Sequence, residues 1–342
     1  MALERGKSLV ALDASIRDAS GDTPAPSVSR TRLMRGLRRS DIFFHALTGA
    51  SAIGVLLVLG AIIASLVIGA WPALSAFGFD FFVTESWNPV TEKFGAGAAI
   101  YGTLITSAIA MVIAVPAGLG IAVFLTELCP KSLRRPIGTA IELLAGIPSI
   151  IYGVWGLFVL APFVQTNIEP FLIQVFGPVP FLGNLFQGPP YGIGMLTAGI
   201  VLAIMVLPSI TAVSRDVFAT VPPMLKESAF GIGCTTWEVI RSIVIPYTRV
   251  GLLGAVMLGL GRALGETMAV TFVIGNAHRI SPSILAPGTT ISATIANEYS
   301  EATGDLYVSS VISLGLILFM MTFVVLALAR LMLARMERAS GK

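Results

Sequence analysis

A chain of 342 residues with 55% hydrophobic side chains, only 12% charged ones and a mean hydropathy of +0.86 is not a disordered polypeptide. Nor does it have the composition of an ordinary soluble enzyme, whose charged share is about twice as large. The net charge of +3 is no nucleic-acid signal, because the basic residues are sorted along the chain by membrane side.

The first segment, 1–42, is expected to be a flexible cytoplasmic tail, loosely attached as far as Ser40. It holds Arg5, Lys7, Arg17, Arg30, Arg32, Arg35, Arg38 and Arg39 and the linker-like Thr23-Pro24-Ala25-Pro26-Ser27. It lacks the apolar run of a cleavable signal peptide. A helix needs about 20 largely apolar residues to cross a bilayer, and six segments qualify: 43–70, 98–125, 137–164, 193–213, 250–274 and 307–333. They make 43–334 one all-α transmembrane domain, followed by a short C-terminal end, 335–342. The connections on one side carry nineteen Lys and Arg and those on the other carry two, Lys93 and Arg279. Cations mark the cytoplasmic side, so both termini are expected there. The two cysteines, Cys129 and Cys234, fall in cytoplasmic connections and outside any CxxC or His/Cys cluster, so free thiols are expected and no metal. Glu142 is expected at the interface near the start of span three. The segment 168–185 is apolar, but Pro170, Pro178 and Pro180 interrupt it, and it is expected to be an external loop. Pro116, Gly146, Pro148 and Pro208 lie inside spans. Such breakers survive in lipid where neighbouring helices or a polar pathway satisfy the freed backbone groups.

The fourth connection, 214–248, is too long for a turn. Pro222 and Pro223 suit the start of a helix, and Gly231 and Gly233 suit its end, Gly233 with φ > 0. Thr235-x-x-Glu238 is a capping box opening a second helix, which Pro246 is expected to limit. The pattern Glu227-Ser228-Ala229, three residues, Gly233, nine residues, Ile243-Val244-Ile245-Pro246 resembles the EAA loop of ABC-importer permeases, with Ser228 and Ile245 as mild departures. The resemblance implies that the helix carrying Lys226, Glu227, Ser228, Ala229, Phe230 and Gly231, closed by Gly233, couples the subunit to an ATPase. The chain has no P-loop of its own. Gly6-Lys7-Ser8 is the nearest approach, in a polar tail with no preceding strand. An enzyme is therefore not expected, nor a cofactor.

Span five contains Arg262 about 12 residues from either end, roughly 18 Å deep at ~1.5 Å per residue. Glu266 stands four residues on and, in a continuous helix, on the same face. An arginine at that depth costs at least ~2.5–3.5 kcal/mol, so the pair is expected to face the bundle interior. Gly261-x-x-x-Gly265 and Ala255-x-x-x-Gly259 allow close helix approach. Two readings stand: a structural salt bridge, or an anion station whose planar guanidinium takes two oxygens of a phosphate or sulfate. His278 and Arg279 sit at the outer mouth, read as an exposed loop pair, and His45 at a membrane edge.

Four stretches carry a narrower resemblance: Ile100-Tyr101-Gly102-Thr103-Leu104-Ile105-Thr106-Ser107, Gly146-Ile147-Pro148-Ser149-Ile150-Ile151-Tyr152-Gly153, Gly259-Leu260-Gly261-Arg262-Ala263-Leu264-Gly265-Glu266-Thr267-Met268-Ala269-Val270, and Thr290-Ile291-Ser292-Ala293-Thr294-Ile295-Ala296-Asn297-Glu298. Together they resemble the PstC-type permeases of phosphate-specific ABC importers, over residues 43–335. The resemblance implies a type I ABC importer permease fold in the bacterial inner membrane and a substrate pathway at Arg262, Glu266 and Thr267. It also implies a PstA-type permease, two PstB-type ATPases and a PstS-type binding protein as partners, with inorganic phosphate as substrate. The rivals are a permease for another oxyanion such as molybdate or sulfate, an ATP-independent secondary transporter or channel, and a membrane-embedded sensor.

Overall fold

The computed structural model describes the backbone of residues 30–180 and 183–339 and the side chains of 42–180 and 183–335. The linker at 23–27, Gly6-Lys7-Ser8 and the tail cations up to Arg17 lie outside the described residues. The chain falls into two units, Met1–Ile63 and Ala64–Lys342. The described part of the first is the leading stretch of helix α1 (Arg30–Phe77), which begins ahead of the expected Ser40. Its large apolar side chains between Ile42 and Leu59 are exposed.

The second unit holds the remaining elements. The end of α1 leads into α2 (Asp80–Val83) and a two-stranded antiparallel hairpin, β1 (Trp87–Asn88) and β2 (Lys93–Phe94), with Trp87 opposite Phe94. Then come α3 (Gly97–Leu128), α4 (Lys131–Ala145), α5 (Ser149–Phe176), α6 (Met195–Ala219), α7 (Pro223–Gly231) and α8 (Thr236–Gly265). Three helices close the order: α9 (Met268–Val273), α10 (Ile291–Glu298) and α11 (Asp305–Ala339). Among the described residues six helices are long and apolar enough to cross a membrane: Ile42–Phe77, α3, α5, α6, α8 and Asp305–Arg335. The all-α, six-span expectation matches this count.

Three boundaries differ from expectation, among them the fifth span, which is Thr236–Gly265 and not 250–274. The third span is α5, not 137–164. Its expected first part is a separate helix, α4, which ends at Gly146 before Pro148 opens α5. The expected loop at 168–185 is helical as far as Phe176. The reason lies in how this chain carries proline. All four π turns among the described residues, Phe124–Leu128, Gly156–Leu160, Val164–Ile168 and Ile240–Val244, end two residues before a proline: Pro130, Pro162, Pro170 and Pro246. A proline in a helix interior lacks the N–H for the carbonyl four residues back, and its ring crowds that carbonyl. At Pro162, Pro170 and Pro246 a widened turn just upstream carries the chain past this conflict, whereas at Pro130 the helix ends. Pro170 therefore does not break α5. Pro246 likewise does not limit its helix, and α8 runs from the fourth connection deep into the bundle.

α6 lies at the centre of the core. Val201, Leu202, Met205, Val206 and Ile210 are all fully buried, with Ala110 and Ala114 of α3 and Ala263 of α8. Ile210 wedges between two glycines. A Cβ on Gly118 would approach its Cγ2 at 3.0 Å, and one on Gly259 its Cγ1 at 2.7 Å. Of the glycines expected to allow close approach in span five, Gly259 is thus the one that does so. Gly265 meets nothing within 4 Å.

Candidate functional site

The four stretches singled out in the sequence meet in two packed pairs. In the first, Thr103 Oγ1 of α3 accepts from Ile291 N at the start of α10 at 2.9 Å. A Cβ on Gly102 would collide with the carbonyl oxygen of Thr289. In the second, Gly153 of α5 faces α9 so closely that a Cβ would lie 3.1 Å from Met268 O and 2.8 Å from Phe272. The glycines are there because two backbones touch. Gly102→Ala is expected to cost roughly 1–3 kcal/mol or more, read as a lower melting temperature of the solubilised subunit. Gly254→Ala, which adds a methyl where nothing lies within 4 Å, should leave the temperature unchanged.

The break between α8 and α9 falls within the Arg262 signature. Arg262 is in the last turn of α8, and the helix ends at Gly265, where Glu266 turns extended (φ −70°, ψ 130°). α9 restarts at Met268 after Thr267. Glu266 therefore does not share a helical face with Arg262, and among the described residues the two form no ion pair within 4.0 Å. The expected i, i+4 pair is corrected by a local competition. Glu266 Oε1 accepts a long hydrogen bond from Ala269 N at 3.4 Å, so the carboxylate turns toward the new helix instead of lying along the old one. Thr267 supports the restart, its carbonyl accepting from Thr271 Oγ1 at 2.8 Å.

Arg262 Nη1 donates to Ser209 Oγ of α6 at 3.1 Å. Its side chain is exposed on this subunit, not enclosed within the bundle as expected. Ser209, next to Pro208 in α6, escaped the reading of the sequence. A hydroxyl beside a mid-span proline was the only signal. Tyr152, within one of the quoted stretches, lies in electrostatic range of Arg262 and donates to Leu144 O at 2.7 Å. The break thus gathers one guanidinium, two hydroxyl-bearing side chains from α5 and α6, and a carboxylate held by its own helix.

At the other end of α8, the fourth connection has the expected two helix ends. α7 ends in two reversed hydrogen bonds, Cys234 N to Ala229 O at 3.1 Å and Gly233 N to Phe230 O at 3.0 Å. Gly233 stands between them at φ +94°, and Gly231 is still helical. This is the Schellman closure, which favours glycine at that position. Thr235 and Glu238 form the reciprocal capping box. Ala229 is buried with Phe218, Val221, Val239, Val244 and Leu252. Lys226 Nζ pairs with Glu127 of α3 at 2.5 Å, and Ser228 Oγ donates back to Met224 O. The outward face is apolar and open: Met224 is 75% exposed, Phe230 47%, Ile232 84% and Trp237 63%. Glu227 is exposed beside them.

Beyond α9, His278 is not the exposed loop residue expected. Its ring stacks on Trp87 at 5.7 Å, and Nε2 lies 3.8 Å from Glu298 Oε1. Glu298 Oε2 accepts from Tyr307. Burial holds the His278 imidazole below its ordinary pKa, against the opposing pull of Glu298. Arg279 is exposed. Glu142 is a residue of α4, paired with Arg215 at 2.6 Å. Cys129 and Cys234 are free thiols.

Residues 114–338 match the family model described as a binding-protein-dependent transport system inner membrane component. The chain is 66% identical over 318 residues to the phosphate transport system permease protein PstC of Mesorhizobium japonicum, covering 93% of this chain and 97% of that one. It is 56% identical over 302 residues to PstC of Pasteurella multocida, covering 88% and 94%. The chain belongs to the PstC-type permeases. More distant PstC-type relatives match over the same length, such as PstC 1 of Mycobacterium tuberculosis, 39% identical over 86% of this chain and 93% of that one. Among solved structures, a chain of a bacterial alginate ABC transporter shares the fold, with a TM-score of 0.57 at 19% identity over 89% of this chain and 98% of that one. The PstC-type permease is thus an integral, multi-pass subunit with the type I importer fold.

Proposed function

We propose that this PstC-type permease forms the translocation pathway for inorganic phosphate in an ATP-driven importer, with a PstA-type permease, two PstB-type ATPases and a PstS-type binding protein. The observation that carries the reading is Arg262. It is a guanidinium at a helix break, held by a neutral hydroxyl and with no carboxylate within 4.0 Å among the described residues. Its fork matches two oxygens of an oxyanion. Thr267 lies on the same break. Glu266 spends one oxygen on a long bond to Ala269 N, which leaves the other to accept from a protonated phosphate O–H. Sulfate at neutral pH has no such proton, and this favours phosphate over the rival oxyanions. The exposed side of Arg262 needs cover in a membrane, because a charge facing lipid at depth is costly. A second permease across the pathway supplies that cover.

The exposed apolar face of α7, fixed from behind by Ala229 and by the Lys226–Glu127 pair, supports docking on an ATPase. The continuous α8 links that docking helix to Arg262, so ATPase closure would rock the station between the two sides. Deleting the chain from its host should abolish high-affinity phosphate uptake and leave sulfate uptake intact, and a plasmid copy should restore it. Loss of sulfate or molybdate uptake instead would refute the substrate.

The orientation has its own check. Cysteines introduced at the exposed Ser86 and Ser300 should react with an impermeant maleimide in intact cells, while Cys234 should react only after lysis. Labelling of Cys234 in intact cells would invert the topology.

A further inference from the structure

We propose a second anion site, away from the Arg262 station, that binds a phosphate-class group on the side of the bundle that carries the coupling loop. It is a cavity of about 430 Å³ lined by Lys131, Arg134, Arg135, Thr139, Glu142 and Arg215. The first five lie on α4 at positions that fall on one face of the helix. Buried Gly138 lies on the same face and turns it toward α6, where a Cβ on Gly138 would sit 3.2 Å from Arg215 Nη1.

The cavity is an open one: Lys131, Arg134, Arg135 and Thr139 border it and remain exposed, with only Gly138 of that face buried. The charge in the cavity is also unbalanced. Both carboxylates near Arg215 are committed to it, Glu142 at 2.6 Å and Asp216 at 3.1 Å. The nearby Glu127 is taken by Lys226. Arg134 donates to the Thr126 carbonyl at 2.6 Å, a neutral partner. Lys131, Arg134 and Arg135 have no ion pair among the described residues. Three uncompensated cations and a hydroxyl around one concave space form a receptor for a phosphate group, with the guanidiniums supplying paired donors. That group reaches this place from two sources: the headgroup of an acidic phospholipid in the adjoining leaflet, or free inorganic phosphate.

The test uses the assembled importer in nanodiscs, with Arg262→Gln in every sample so that the pathway station does not contribute. The triple variant Lys131→Gln/Arg134→Gln/Arg135→Gln is compared with its parent. In mixed phosphatidylcholine and phosphatidylglycerol, native mass spectrometry counts the phosphatidylglycerol retained after release. In pure phosphatidylcholine, equilibrium binding of radiolabelled inorganic phosphate is measured. Each basic residue beside an anionic headgroup contributes roughly fivefold, so the triple change should weaken retention about a hundredfold. Loss confined to phosphatidylglycerol assigns the site to lipid, and loss of phosphate binding in pure phosphatidylcholine assigns it to the free anion. Equal behaviour of parent and variant in both arms overturns the proposal. If the triple variant does not assemble, Lys131→Gln/Arg135→Gln, which removes two exposed side chains without a described partner, decides by the same readouts.

Discussion

Arg262→Gln should lower ATP-driven phosphate uptake by roughly a hundredfold or more, the loss of two charge-assisted hydrogen bonds to the anion. The subunit should still insert and assemble, because among the described residues the side chain's hydrogen bond is to the neutral Ser209 Oγ. Arg262→Lys should recover little, since an ammonium cannot supply the planar two-pronged contact. A structural salt bridge would behave differently. Removing either partner would destabilise the subunit, and removing both would restore it. Because Glu266 bonds to Ala269 N and makes no ion pair with Arg262, Arg262→Gln/Glu266→Gln should transport no better than Arg262→Gln alone. Recovery of uptake in the double variant, measured with matched amounts of assembled complex, would return the pair to a purely structural role.

The second large effect is expected at Gly233. Its φ of +94° is a conformation that a β-branched residue adopts only under strain, at roughly 1–3 kcal/mol. A methyl group there meets nothing within 4 Å, so the cost is conformational and not steric crowding. Gly233→Val should open the Schellman closure, release the outward face formed by Phe230 and Ile232, and weaken co-purification of the ATPase while membrane insertion stays normal. Gly233→Asn, which tolerates the left-handed region, should retain most of the docking. An importer that assembles and transports normally with valine at this position would show that α7 is not the coupling element.

The six-span architecture was legible because bilayer thickness translates directly into apolar run length. The helix ends of the fourth connection were legible because caps are local: Gly233, Thr235 and Glu238 each act within a few residues. The failures have equally local causes. Pro170 and Pro246 read as helix ends, yet π turns two residues upstream carry both helices through, and nothing in the composition of Val164–Ile168 or Ile240–Val244 announces a widened turn. The Arg262/Glu266 spacing presumed a continuous helix. No proline marks the break after Gly265, and the bond from Ala269 N to Glu266 shows only in three dimensions. Ser209 and the Glu142–Arg215 pair depend on contacts between helices distant in sequence, which helical periodicity cannot supply. The resemblance to PstC-type permeases singled out four stretches, but it did not reveal that they meet as two glycine-lined pairs.

The most direct measurement is uptake of radiolabelled phosphate by proteoliposomes containing this chain, a PstA-type permease, PstB-type ATPases and PstS-type binding protein, with and without ATP. Phosphate accumulation that requires ATP, is unaffected by excess sulfate or molybdate and disappears with Arg262→Gln is the predicted result. Accumulation that proceeds without ATP, or that survives intact in Arg262→Gln, would contradict it.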